Sequence, residues 1–458
     1  MPDYSKLITE ARLRDSESGT ELPLSIAYES NKSRILFSAP FRRLQQKAQV
    51  FSLEPNAAVR SRLTHSLEAA YIGRFISRNI IQAFRDKNDP LTDELASAFI
   101  TAVDSACLMH DIGNPPFGHS GEEAIQLWFK EHQPEFSSLD EDYYKDFLHF
   151  DGNPQGFRIA TKLQGKPGTG GFNLTCTQLA AYLKYAHSPK DFESKEGKKP
   201  GYFLTEQGKI DIIFGKLGLE QGTRFPLAYL MEASDDIAYA LSDLEDALEK
   251  GIITKTNLKA RLLEEWKNTP SKKDDFFPIH LKRLDDDDTH YWDWTIFRAY
   301  LVADLVKFAA NKYVEQHEQF LDGSAIGIFK NASPEKDALK AISKVAVKHV
   351  YQSREAEDLE LAGRKIISGL LDHFHELMIC DEAEFTQILE GKNNSKLAQK
   401  LARKLPQTHL LNYKKEREMD PTTPELAHRL HMIVDFISGM TDDYALETHQ
   451  LLSGIRVR

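Results

Sequence analysis

Cysteine is scarce in this chain. It carries three in 458 residues, Cys107, Cys176 and Cys380. They are odd in number, far apart and set in apolar contexts, which excludes a disulfide framework and a cysteine-based zinc cluster. There is no apolar run of about 18 residues, the length a membrane-spanning helix needs. The N-terminus, MPDYSKLITEARLRDSESGTE, lacks an apolar h-region, so no secretory signal is read there. An excess of positive charge is also missing. With 58 Lys and Arg against 69 Asp and Glu, the net charge is −11, which argues against broad, non-specific nucleic-acid binding as the main activity. A local basic pocket for a phosphorylated small molecule is still compatible with that balance. The remaining composition, 41% hydrophobic and 28% charged, is that of a globular protein. Together these absences give the expectation of a reduced, soluble, cytoplasmic protein with no membrane association.

What is present is helical periodicity. Residues 62–84 place Leu63, Leu67, Ala70, Tyr71, Phe75 and Ile76 at helical spacing. Residues 94–110 predict a mostly apolar, buried helix, stopped by Gly113 and the Pro115-Pro116 pair. Ser120 followed by Glu123 has the form of a capping box for the next helix. Residues 227–250 predict the clearest helix, with Pro226 in its first turn, Gly251 after its end, and a stripe of Leu230, Ala233, Ile237, Ala240, Leu244 and Leu248. Further helices are expected at 295–320, 335–352, 356–380, 395–404 and 423–452. One short strand is a candidate, IDIIFG at 210–215. Residues 165–171, 187–201 and 269–275 read as loops, and the run Asp285 to Asp288 as solvated surface, since four adjacent carboxylates repel one another. Without a repeat or a long polar linker, one large all-α body is expected.

Four residues are the candidates to carry the chemistry: His65, the adjacent pair His110-Asp111, and Asp235. A charged pair closing an apolar helix is costly to bury without a partner. Two imidazoles and two carboxylates form a mixed N/O set for one divalent ion. Manganese, magnesium, iron, cobalt and zinc all suit it, and the two carboxylates lean toward a hard ion that keeps its waters. On the helix of Asp235, Tyr239 and Asp243 follow at i+4 and i+8, a face that suits either a polar pocket wall or plain surface. His119 and Glu122 stand three residues apart, where a carboxylate orienting an imidazole makes a general acid/base pair; the bland reading is a loop histidine and a glutamate favouring a helix dipole. Arg62, three residues before His65, suits a grip on a phosphate oxygen. Lys184 and Tyr185 suit either a polyphosphate or a solvated face. The amide of Gln49 is a candidate for reading a base or sugar. The glycine-rich GKPGTGG is no P-loop, because the Gly-Lys-Ser/Thr ending is missing.

Taken together, SRILFSAPFRRLQQKAQVF (33–51), RSRLTHSLEAA (60–70), MHDIGNPPFGHSGEEAI (109–125), KKPGYFLTE (198–206), YLMEASDDIAYALSDLEDA (229–247) and DFISGMTDDYAL (435–446) resemble the HD-domain deoxynucleoside-triphosphate triphosphohydrolases, or dGTPases. The segments run in family order across most of the chain. No family word is recognised between about 252 and 420. The resemblance implies an HD-domain helical bundle at about 33–251 and an extended helical C-terminal region at 252–458. It implies one divalent ion per subunit, manganese, magnesium or similar, on His65, His110, Asp111 and Asp235. His119 and Glu122 match the catalytic pair; Arg62, Lys184 and Tyr239 match contacts to triphosphate or sugar, and Gln49 a contact to the nucleoside. Tyr185 and Asp243 join the substrate-binding candidates. Members cleave a dNTP between the 5′ oxygen and the α-phosphorus. They commonly form homo-oligomers, and some respond to a second nucleotide or to single-stranded DNA. Two other readings stay open: an HD phosphohydrolase acting on mono- or cyclic nucleotides, and a non-catalytic nucleotide or single-strand binder.

Overall fold

The computed structural model describes residues 4–15, 22–88, 90–166, 170–191, 199–284 and 292–456. Among them there is no β-strand, only two isolated bridges, Arg12 with Thr175 and Ala48 with Ser61. The fold is all-α, as expected. None of the helices among the described residues is long and apolar enough to cross a membrane.

Three helices set the positions of the site residues: Arg62–Asp86, Asp93–Met109 and Pro226–Glu249. The first starts sharply because Ser61 and Thr64 form a reciprocal capping box, which satisfies two end donors. The second is rich in alanine and is buried on almost every side after Ala98. Small side chains let these helices approach closely. At Gly73 the approach is tightest: a Cβ there would lie 2.8 Å from Cys107 Sγ and 3.1 Å from both Ser234 Oγ and Val103 Cγ1. That crossing lies just beneath His110 and Asp235, which follow Cys107 and Ser234 in the chain, so it sets how near those two side chains come to each other. Gly73→Ala is expected to cost about 1–3 kcal/mol, the usual penalty for overpacking a tight core, read as a lower midpoint of denaturant unfolding.

The buried apolar side chains form two clusters. One surrounds the three helices and continues through Trp292–Glu315 and Pro334–Ala346. The other joins Gly118–His132 and Glu141–Leu148 to the C-terminal helices Arg354–Ile379, Glu425–Ser438 and Asp442–Leu452. The helix that carries His119 and Glu122 near its start therefore packs with the C-terminal third of the chain. Phe117, at its start, adopts a left-handed φ of 62°, and its ring lies where a Cβ on Gly363 would come within 2.5 Å. Only glycine fits at 363 without displacing that ring.

Several details of the sequence reading change. Residues 210–215 are helical, inside Gln207–Leu217, because Ile210, Ile213, Phe214 and Leu217 repeat at 3.6-residue spacing and bury one face. Ser120 and Glu123 form no capping box. The helix starts earlier, at Gly118, without a side-chain cap, and Ser120 Oγ instead donates to the Phe117 carbonyl at 2.9 Å. The stretch 423–452 divides at Gly439, with Thr441 capping the second helix. Asp285 to Asp288 lie outside the described residues, as do parts of the loops at 165–171 and 187–201. The helix expected at 227–250 runs from Pro226, at its first position, to Glu249, and Gly251 follows at φ 68°.

Candidate active site

His65 lies in the first turn of its helix and is fully buried. His110 sits at the end of Asp93–Met109, where its Nδ1 lies 2.7 Å from the Cys107 carbonyl. A carbonyl cannot donate, so Nδ1 carries the proton and the lone pair rests on Nε2. That Nε2 is buried, makes no hydrogen bond, and lies 3.4 Å from Asp235 Oδ1 and 3.6 Å from Asp111 Oδ1. His65 Nε2 lies 3.3 Å from the same Asp235 oxygen. Ligand atoms of His65, His110 and Asp111 all fall within 4.8 Å of one another. Donors about 2 Å from one ion stand no more than about 4 Å apart; the 3.3, 3.4 and 3.6 Å separations meet that limit, and with the orphaned imidazole nitrogen the donor set fits a divalent cation.

The charges around this cluster keep its carboxylates ionised. Burial acts to raise Asp111, and the Arg62 guanidinium is foremost among the groups that hold it low. Asp235 is held well below the usual carboxylate range: burial acts to raise it, and His110, His65 and Lys184 prevail. Arg62 donates to Asp111 Oδ2 at 2.8 Å, and Asn114 Nδ2 donates to Asp111 Oδ1 at 2.6 Å. In this arrangement Arg62 orients a carboxylate as well as lining the cavity.

Beside the cluster, His119 Nδ1 lies 2.7 Å from Glu122 Oε2. Glu122 is buried, and its other oxygen accepts the backbone N–H of Gly152 at 2.8 Å. The carboxylate is thereby fixed from behind, and the imidazole is three-quarters exposed. The hydrogen bond that His119 donates to Glu122, and the negative charge of that carboxylate, raise His119 from its ordinary value.

Both groups open on one cavity of about 330 Å³, lined by Gln49, Arg62, His110, Asp111, His119, Glu122, Lys184, Tyr185, Lys199, Asp235 and Tyr239, among others. Lys184 reaches Asp235 Oδ2 at 3.5 Å, and its ammonium lies 6.0 Å from the centre of the Tyr185 ring. Gln49 Oε1 is buried without a hydrogen-bond partner, a group that a ligand could satisfy. Tyr239 stands edge-on to His65, ring centres 6.2 Å apart. Asp243 does not line this cavity. Eight residues at 100° each leave it about 80° around the helix from Asp235. It is fully buried and accepts a hydrogen bond from Tyr351 Oη, and burial raises its carboxyl to about 7.

Sequence reasoning missed the supports. Lys47 Nζ donates to the carbonyls of Asn114 and Ser438, and Asp442 accepts the backbone N–H groups of Ala48 and Phe117, each at 3.0 Å. Together they fasten the segment between the two histidine groups. Lys199, paired with Asp151 at 2.8 Å, adds positive charge to the cavity; its only sequence signal was its place in KKPGYFLTE.

Comparison with known proteins finds relatives over nearly the whole chain. The HD domain family matches residues 62–147, and the phosphohydrolase-associated domain matches residues 331–451. The chain is 35% identical over 496 residues to a deoxyguanosinetriphosphate triphosphohydrolase of Yersinia enterocolitica, covering 96% of each chain. It is 35% identical over 491 residues to the protein so named in Yersinia pseudotuberculosis, again over 96% of each. With that of Serratia proteamaculans it shares 36% over 493 residues and 95% of each chain.

Proposed function

Because the chain belongs to the HD-domain deoxyguanosinetriphosphate triphosphohydrolase family, we propose that it hydrolyses deoxynucleoside triphosphates, dGTP among them, to deoxynucleoside and inorganic triphosphate. The observation that carries this reading is the oriented His119–Glu122 pair facing the same cavity as the His65, His110, Asp111 and Asp235 cluster. A pure binding protein has no need of a proton shuttle next to a cation site.

The ion, manganese or magnesium by preference, would be held by His65, His110, Asp111 and Asp235 and would supply Lewis-acid polarisation of the α-phosphoryl group. Arg62, Lys184 and Lys199 bring three positive charges to the cavity, where a polyphosphate needs them. Water adds to the α-phosphorus and the bond to the 5′ oxygen breaks. His119 carries the proton to or from the reacting oxygens. Tyr239 packs against the deoxyribose, where a 2′-hydroxyl would crowd it, so ribonucleotides are poor substrates. Gln49 offers its unsatisfied amide oxygen to the nucleoside.

The test is product analysis by chromatography after incubation of purified protein with dGTP and manganese. Deoxyguanosine and triphosphate are expected; dGMP and pyrophosphate would overturn the bond assignment. Running all four dNTPs singly and mixed reports base preference. Activity confined to mixtures, or raised by single-stranded DNA, would mark a regulatory ligand. The pH dependence gives a separate check. Since Glu122 raises His119, Glu122→Gln lowers the His119 pKa, and the corresponding limb of the kcat/KM profile moves to lower pH. A limb that stays in place would assign it to another group.

A further inference from the structure

A second group of metal-ligand side chains lies at the far end of the helix that begins with His119. One ligand atom each from His132, Glu135 and His375 falls within 4.8 Å of the others. We propose that these three residues form a zinc site, separate from the hydrolytic centre, that ties the helix Gly118–His132 to Arg354–Ile379.

The geometry repeats the arrangement seen at His110. His132 Nδ1 lies 2.8 Å from the Trp128 carbonyl of its own helix. Because the carbonyl must accept, Nδ1 holds the proton and Nε2 keeps the lone pair that a metal needs. His375 Nε2 lies 3.0 Å from Glu135 Oε2, yet this nitrogen is shielded from solvent and makes no hydrogen bond of proper geometry. A nitrogen held against a carboxylate oxygen in this way is positioned for a shared ion.

Both rings are also fixed before any ion arrives. Trp128 stacks on His132, ring centres 4.1 Å apart and planes at 17°, and meets His375 edge-on at 5.5 Å. The indole is itself tied to the second helix, where Nε1 donates to Asp372 Oδ1 at 2.7 Å. The side chains therefore lose little freedom on binding, which favours affinity. Two imidazoles and one carboxylate with a position left for water suit zinc. His375 is 26% exposed and Glu135 41%, so an ion has an entry path.

The site would join the region matched by the HD domain to the region matched by the phosphohydrolase-associated domain. Thirteen residues separate His132 from His119, about 20 Å along a helix, too far for direct chemistry. Its role would be to fasten the helix whose first turn presents the proton shuttle.

The experiment measures zinc by elemental analysis after loading the full chain with zinc and dialysing against metal-free buffer. The wild type is expected to keep two ions per chain, Asp235→Asn one, and His132→Ala or His375→Ala one. Each of the last two should keep manganese-supported turnover. Glu135→Gln, at a more exposed position, guards against misfolding and should bind zinc about tenfold or more weakly. Zinc should raise Tm by a few degrees in Asp235→Asn protein and not in Asp235→Asn/His375→Ala. A zinc content that is the same in the wild type and in the His132 and His375 variants overturns the site.

Discussion

His119→Ala lowers kcat with dGTP by about 10²–10⁴-fold, the range for a lost general acid or base, while the chain keeps its manganese. The two halves of this expectation rest on different observations. His119 makes no hydrogen bond or ion pair with the cluster side chains; its hydrogen bond is to Glu122, and the ring is three-quarters exposed, so truncation leaves no buried cavity. KM should change little, because the imidazole is spent on the proton and not on gripping the phosphates. The checks are steady-state kinetics and metal content on one preparation. Turnover within a few-fold of wild type would remove His119 from the mechanism. A loss of manganese in parallel would mean that the pair supports the ion instead.

The larger effect is expected at Asp235. Asp235→Asn should abolish manganese binding at micromolar metal and reduce turnover by more than about 10²-fold, beyond the 10- to 100-fold that outer-shell partners of a metal cost. Asp235 Oδ1 stands 3.4 Å or less from both imidazole nitrogens of the cluster, and Oδ2 pairs with Lys184. It is the acid that faces both histidines and a lysine at once. The amide preserves shape and removes charge, so circular dichroism should stay unchanged while titration with manganese shows no saturable site. A variant that still bound manganese tightly would exclude Asp235 as a ligand and leave only His65, His110 and Asp111 for the ion.

The candidate site was legible in the sequence because its residue types are strongly constrained. Few arrangements other than a cation site place His-Asp at the closed end of an apolar helix, and a His/Glu pair three residues apart meets itself across one helical turn. Asp243 shows the limit of that logic. Eight residues on from Asp235 it lies buried beside Tyr351 and within electrostatic reach of His65, a placement that helical spacing alone does not give. The segment 210–215 shows another: a short apolar run of β-branched residues has the same composition whether strand or helix, and its neighbours Ile210 to Leu217 decided it by packing one face.

By itself the sequence determined the all-α class, the main helices and the candidate metal and proton-transfer groups, since these follow from local periodicity and from side-chain chemistry. Tertiary structure alone decided how they are held. Lys47 meets Ser438 across 391 positions of chain, Asp442 fastens Phe117, and Gly73 lets three helices cross closely enough to bring His65, His110 and Asp235 together. None of these contacts has a local signature, because each depends on two distant segments arriving at one place, and that is set by the packing of the whole core.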